Sequence, residues 1–170
     1  EAMRRAYRDR AEYLGDPDYV DVPIAKLVSA AYAKELAADL SIEEATSSGD
    51  LRALEPEKGT DTTHFSVLDT EGNRVAATLS VNYPFGAAFV PAKTGVLLNN
   101  EMDDFSARPL TANVYGLVGV GANAIAPGKR PLSSMTPTFL ETRDKVGILG
   151  TPGGSRIISM VMVGILEFMA

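Results

Sequence analysis

The alternation of apolar and polar residues changes period along the chain, and each change marks an element. In residues 1–39 apolar side chains recur at a spacing near 3.6, with Tyr7 and Tyr13 in a first run and Ile24, Leu27, Val28, Ala31 and Leu36 in a second. This spacing predicts two helices, parted at Gly15-Asp16-Pro17, a helix-breaking triplet. From Ser41 to Thr60 the text is Ser, Glu, Gly, Pro and Lys without period, which reads as a linker or loop. Ser41 and Glu44 carry the spacing of a capping box, and the helix after it must be short.

At Thr62 the period becomes two. Thr62 to Leu68 and Arg74 to Asn82 alternate on either side of a turn through Asp69-Thr70-Glu71-Gly72-Asn73, which predicts a β-hairpin. In the second strand Val75, Ala77, Leu79 and Val81 share one face, leaving Ala76, Thr78, Ser80 and Asn82 on the other. In the first, Phe65 and Val67 oppose Thr62, His64 and Ser66. Residues directly opposite in an antiparallel pair point the same way, so Thr62 should face Ser80 or Asn82 and never Leu79 or Val81. Hydroxyls therefore cluster at one end of the sheet. Gly95 to Leu98 reads as a short strand, residues 99–137 as mostly loop, and Val146 to Leu149 as another strand. Pro152-Gly153-Gly154-Ser155 then opens a final helix. No internal repeat or low-complexity tract occurs.

Composition narrows the class without naming a function. The 170 residues suit one compact domain or a large piece of one. Hydrophobic residues at 45% and charged residues at 22% exclude a disordered or fibrous chain. A chain of this size buries about 70% of its unfolded surface, so a real core is expected without staples. There is no Cys, which removes disulfides, thiolate metal sites and cysteine nucleophiles. A net charge of −6 is the wrong sign to gather phosphate backbones, so no nucleic-acid partner is expected. Ile157 to Ala170, the longest apolar stretch, is shorter than the roughly twenty residues of a membrane span and reads as a buried helix. The opening Glu1-Ala2-Met3-Arg4-Arg5 lacks the basic tip and apolar run of a signal peptide. Both ends lack capping signals, and the expectation is a fragment of something longer.

Few residues carry chemistry. His64 is the only histidine, and its strand alternation favours a packed, hydrogen-bonded role over a catalytic or metal-binding one. Glu101-Met102-Asp103-Asp104 can grip a cation or ammonium, but acidic loops are commonly just solvated. Ser133-Ser134 read equally as plain loop hydroxyls. Gly119-Val120-Gly121 lacks the flanking strand and helix of a dinucleotide site. Pro152-Gly153-Gly154 is better placed: a strand running into a Gly pair at a helix start presents N–H groups to an oxyanion or phosphate, or else is simply a tight turn. A hydroxyl nucleophile without a conventional base needs another proton acceptor, and an α-amine with a pKa of about 7.7–8.0 qualifies. That route requires Thr62 to become a chain terminus, with the Gly153 and Gly154 N–H groups holding the oxyanion, a term of about 3–4 kcal/mol. Composition alone does not select it.

Several ordered motifs do. Asp61-Thr62-Thr63-His64-Phe65-Ser66-Val67, Leu98-Asn99-Asn100-Glu101-Met102-Asp103-Asp104-Phe105-Ser106, Asn113-Val114-Tyr115-Gly116-Leu117, Pro127 to Met135 and Pro152-Gly153-Gly154-Ser155 together resemble the γ-glutamyltransferases, members of the N-terminal-nucleophile hydrolases. Upstream, Tyr19-Val20-Asp21-Val22-Pro23 resembles the end of that family's large subunit. The resemblance implies an α+β fold, the αββα sandwich of N-terminal-nucleophile hydrolases, of which this chain is a partial copy. It implies that residues 1–61 are the C-terminal helical part of the large subunit with a linker, and 62–170 the small-subunit catalytic part, truncated at its C-terminal end. It further implies autocatalytic cleavage between Asp61 and Thr62, with Thr62 then the nucleophile in γ-glutamyl transfer from glutathione to an amino acid, a peptide or water. Asn82, Glu101 and Asp104 would receive the substrate's α-ammonium, Ser133 and Ser134 its α-carboxylate, and Gly153 and Gly154 the oxyanion. Ser80 stands where the family usually carries a second Thr, a change that keeps the hydroxyl. The family's carboxylate-binding Arg falls before Glu1, so the isolated fragment is expected to fold and to be inactive without the rest of the large subunit.

No cofactor and no metal is implied, and a periplasmic or secreted location follows from the resemblance alone. Three alternatives stay open: a cephalosporin or glutaryl acylase, a γ-polyglutamate-processing relative, or an inactive, unprocessed precursor. The Asp104 carboxylate with Ser133-Ser134 favours a free γ-glutamyl head over an acylase substrate, which would leave Asp104 unpaired.

Overall fold

The computed structural model describes residues 1–46, 61–106 and 121–170. Most of the Ser41–Thr60 linker, the Asn113 to Leu117 motif and Gly119-Val120 lie outside the described residues. The chain forms two compact units, one of Glu1–Glu55 with Asp103–Leu132, the other of Pro56–Met102 with Ser133–Ala170.

In the first unit, helix α1 spans Ala2–Tyr13, where the first run of 3.6-spaced residues lies. The second run is broken into α2 (Ile24–Leu27) and α3 (Ala30–Ala37). Ser29 is the cause: its backbone is extended, and its hydroxyl accepts the Tyr32 N–H at 3.2 Å while donating to the Lys26 carbonyl at 2.8 Å. A side chain that caps the following turn ends the helix before it. Arg5 ties α1 to the end of α3, donating to the Leu36 carbonyl and the Asp39 carboxylate, both at 2.6 Å. The Lys26 ammonium sits 4.6 Å from the centre of the Tyr32 ring and 5.4 Å from that of Tyr13, a cation–π pair that joins α2 to both neighbours. Ser41 does accept the N–H groups of Glu43 and Glu44, both at 3.1 Å, as a capping box would, but no helix follows through residue 46.

The second unit is built on hairpins. Strands β1 (Thr62–Leu68) and β2 (Arg74–Ser80) pair antiparallel, with Thr62 opposite Ser80. Their turn is held by Asp69, whose carboxylate accepts the Asn73 side-chain amide at 2.7 Å and the N–H groups of Asn73 and Glu71 at 2.8 and 2.9 Å; the Asn73 side-chain bond, then the backbone bonds, lower its pKa. Gly72 supplies the left-handed residue there, at φ +87°. A second hairpin pairs β3 (Thr138–Glu141) with β4 (Val146–Leu149). Strand β3 is not foreseen by the alternation, because its four residues follow Pro137 and have only one hydrogen-bonded neighbour strand.

Two further expectations fail. Gly95 to Leu98 is not a strand: only Leu98 pairs, donating to the Phe89 carbonyl at 3.1 Å and accepting from Ala87 at 2.9 Å, so no ladder forms. The final helix, α4 (Ile157–Met169), is not buried all round. One stripe, Ile157, Val161, Gly164 and Phe168, faces β4, where a Cβ on Gly147 would stand 3.1 Å from the Phe168 ring. Met160, Val163, Leu166 and Met169 stay exposed. A two-stranded sheet and one helix cover each other on a single side, so in the second unit only Ile157 and Val161 are buried apolar residues among those described. No helix among the described residues is long and apolar enough to cross a membrane.

Candidate active site

The site begins with the register of β1 and β2. Because Thr62 lies opposite Ser80, their side chains share a face and the two hydroxyl oxygens stand 3.0 Å apart. Ser80 Oγ also accepts the Asn82 N–H at 2.9 Å. With one lone pair so engaged, the Ser80 hydroxyl keeps a proton to donate to Thr62 Oγ and a lone pair to accept from it. The contact therefore serves both a hydroxyl and a developing alkoxide at Thr62. While the Asp61–Thr62 bond is intact, the Thr62 nitrogen is an amide.

Two residues along the strand, on the same face, His64 is opposite Thr78, with Nδ1 2.8 Å from the Thr78 hydroxyl and Nε2 3.2 Å from Ser66 Oγ. Ser66 Oγ donates in turn to the Ile148 carbonyl at 3.0 Å, linking the first hairpin to β4. Both ring nitrogens are engaged, which matches the packed role read from alternation. Gly150, just past β4, lies directly beneath this ring, where a Cβ would overlap it. Gly150→Ala is expected to cost about 1–3 kcal/mol by forcing the ring aside, measured as a fall in melting temperature; an unchanged value would mean that the ring is not held there.

Beyond Ser80 the chain turns sharply. Asn82 has φ +74°, a left-handed conformation that asparagine tolerates better than other side-chain-bearing residues, and it is buried. Its side-chain amide donates to the Asn100 carbonyl at 3.1 Å, while Asn100 Oδ1 accepts the Tyr83 N–H at 3.0 Å. The Asn82 turn is thereby fastened to the segment leading into Glu101, which starts a 3-10 turn over Glu101–Asp104. A continuous series of bonds joins Thr62, Ser80, Asn82 and Asn100, with Glu101 next in the chain.

The Gly pair is placed at a strand-to-helix junction. Gly153 at φ +141° and Gly154 at φ +58° both occupy conformations that side chains resist, so glycine is required twice. A single 3-10 turn, Gly154–Arg156, follows, and α4 starts at Ile157. Among the described residues neither glycine N–H is donated to a backbone carbonyl. Both amides belong to the second unit, as do Thr62, Ser80, Asn82 and Glu101. Ser133 is exposed and its hydroxyl accepts the Met135 N–H at 3.1 Å, whereas Ser134 is half-buried.

Asp104 belongs to the first unit, with surroundings of its own. Its carbonyl accepts the side-chain amide of Asn123 at 2.7 Å. The buried Arg10 guanidinium is attracted electrostatically to Asp104, although burial pulls the Arg10 pKa down. Later in the same unit, Asp16 accepts the Arg130 N–H at 2.8 Å and its Nε at 2.9 Å, with Nη2 at 2.5 Å from the other carboxylate oxygen. These bonds hold the Asp16 carboxyl well below the usual range. Neither Asn123 nor Asp16 stands out in the sequence: Asp16 precedes Pro17 and looks like turn chemistry, and Asn123 lies in a loop with no pattern. Among the described residues no three His, Asp or Glu side chains come together as a metal-binding group.

A hairpin that opens on a hydroxyl residue, with a second hydroxyl across the sheet, is the arrangement of an N-terminal-nucleophile hydrolase, and the fold class is α+β. The family model described as gamma-glutamyltranspeptidase matches residues 1–170, and the chain belongs to that family. It is 52% identical over 165 residues to the glutathione hydrolase proenzyme of Escherichia coli strain K12, an alignment covering 95% of this chain and 28% of that protein. It is 36% identical over 168 residues to the acylase ACY 1 proenzyme of Pseudomonas sp. strain V22, covering 98% of this chain and 28% of that one. Among solved structures, a mutant of Helicobacter pylori gamma-glutamyltranspeptidase superposes with a TM-score of 0.58 at 48% identity, covering 64% of this chain and 60% of the other. The chain thus spans under a third of the length of these curated relatives.

Proposed function

We propose that this chain is part of a γ-glutamyltransferase and glutathione hydrolase made as a proenzyme. Residues 1–61 belong to its large subunit and 62–170 to its small subunit. The observation that carries the reading is the 3.0 Å contact between the Thr62 and Ser80 hydroxyls at the first residue of β1, immediately after Asp61. Maturation begins when Thr62 Oγ attacks the Asp61 carbonyl carbon. The C–N bond breaks, its nitrogen takes the hydroxyl proton, and an ester replaces the amide. Water hydrolyses the ester, leaving an Asp61 carboxylate and a free Thr62 α-amine.

That amine is the base for catalysis. It removes the Thr62 hydroxyl proton as Oγ attacks the γ-carbonyl of glutathione, and Ser80 stabilises the alkoxide with its donated hydrogen bond. The Gly153 and Gly154 N–H groups receive the oxyanion, and their left-handed backbone supports this role by aiming consecutive amides from a helix start. The proton passes to the leaving amine, cysteinylglycine departs, and a γ-glutamyl-Thr62 ester remains. Water or an acceptor amine then takes the acyl group. Asn82, Glu101 and Asp104 bind the α-ammonium, and Ser133 and Ser134 the α-carboxylate. The remainder of the large subunit is a required partner. A periplasmic or secreted location is proposed from the family alone.

The similarity to an acylase favours a second reading, in which the substrate lacks an α-ammonium. Intact mass and two anilides separate the cases in the complete proenzyme. The chain should split before Thr62, and a γ-glutamyl anilide should turn over much faster than a glutaryl anilide. Its kcat/KM should rise with pH and level off above about 8, because the amine works only when unprotonated. Preference for the glutaryl compound would reassign the substrate. An uncleaved chain would identify a silent precursor.

A further inference from the structure

Asn123 is buried at the end of a short 3-10 turn, Gly121–Asn123, in the first unit, and both ends of its side-chain amide are used on distant segments. Its Nδ2 donates to the Asp104 carbonyl at 2.7 Å, and its Oδ1 accepts the Leu132 N–H at 3.0 Å. Its own carbonyl accepts the Ser106 N–H at 2.9 Å, and Ser106 pairs in a single parallel bridge with Ala124. One side chain thus fixes the peptide plane that follows Asp104 and ties it to the backbone of Leu132. Phe105, the buried ring between the Asp104 and Ser106 attachments, holds that stretch against rotation. A buried amide with both partners in place is costly to disturb, because substitution leaves a carbonyl or an N–H unsatisfied.

We infer that Asn123 is a positioning residue for substrate recognition: its amide sets the backbone that carries Asp104. This rests on the γ-glutamyl reading above. It differs from a general role in folding because the peptide it holds follows the residue assigned to the ammonium. Asn123→Asp discriminates between the two, since a carboxylate still accepts the Leu132 N–H but faces the Asp104 carbonyl with an oxygen instead of a donor. Recognition of the ammonium should weaken while the acyl-transfer machinery at Thr62 is untouched.

The test compares wild-type and Asn123→Asp complete, matured protein on a γ-glutamyl anilide and on a glutaryl anilide that lacks the ammonium. For the γ-glutamyl compound, KM should rise about tenfold with kcat changed by no more than about twofold, the scale of one lost hydrogen bond. The glutaryl compound should be affected little, so the selectivity between the two falls about tenfold. Should Asn123→Asp fail to mature, Asn123→Ser, with one hydroxyl in place of the amide, carries the same comparison. Equal losses on both anilides, no change on either, or failure of both variants to mature would overturn the inference and make Asn123 structural. If the wild-type protein itself shows no preference for the γ-glutamyl anilide, the substrate reading fails instead, independently of Asn123.

Discussion

Thr62→Ala should leave the complete proenzyme as one uncut polypeptide and abolish turnover of a γ-glutamyl anilide, lowering kcat by roughly 10⁴-fold or more, as expected when a covalent nucleophile is removed. Both losses have one origin, because the same oxygen attacks first the Asp61 carbonyl and later the substrate. Thr62→Ser keeps that oxygen and should retain cleavage and turnover at reduced rates, since the lost methyl only loosens the rotamer that meets Ser80. Intact mass over a day of incubation and anilide kinetics read the two steps separately. A Thr62→Ala protein that is cleaved, or that turns over substrate, would move the nucleophile to another residue.

Asp16→Asn should give the largest loss of thermal stability of any single charge removal in the first unit. The Asp16 side chain is 1% exposed, whereas that of Arg130 is 65% exposed, so the removed charge is the one that depends on the pair. Four of its contacts are local or directed at Arg130: the N–H and two guanidinium nitrogens of Arg130, and the N–H of Asp18. An asparagine cannot accept at both ends, and its NH2 group would face a guanidinium. Arg130→Met should destabilise too, and the double variant should be no worse than the more damaging single one, since both remove the same interaction. Fully additive effects in that cycle would show that the two residues act separately.

The pH dependence follows from the same geometry. Hydrogen bonds donated by Arg130, first from its guanidinium and then from its backbone N–H, lower the Asp16 pKa on folding. The stability from this pair is therefore fully present above the ordinary aspartate value of about 3.9 and is lost as the pH falls further toward the folded-state value. Acid unfolding curves should converge for wild-type and Asp16→Asn at low pH and separate toward neutrality. The ion pair also spans the proposed cut, Asp16 lying before Thr62 and Arg130 after it. Like that pair, the 2.9 Å bond from the Tyr19 hydroxyl to the Pro127 carbonyl joins residues on either side of the proposed cut within one compact unit.

Local pattern was readable where one period governed a whole element. The two-residue alternation from Thr62 to Asn82 yields the hairpin, its turn at Asp69 to Asn73 and the face that Thr62 shares with Ser80 and Asn82; the structure then selects Ser80 as its partner. It also makes His64 a bonded strand residue and not a free imidazole. Pattern failed where a side chain competes with the backbone, as Ser29 does in dividing a run of apolar residues that looks continuous, and where single backbone bonds stand in place of a ladder, as at Leu98. It failed for β3 because four residues after a proline show too little alternation to register.

What the sequence determined unaided is therefore the strand parity, the polar face that carries the hydroxyls, and the glycine pair, all of which depend on neighbours a few residues apart. The tertiary structure decided the rest. Asp16 meets Arg130 across a separation of 114 residues, Asn123 reaches back 19 residues to Asp104, and Gly150 is small because a ring from another hairpin lies over it. Such contacts form when chain segments with no common period are packed together, and burial then makes each polar atom's partner matter. No local order of apolar and polar residues encodes which segments those will be.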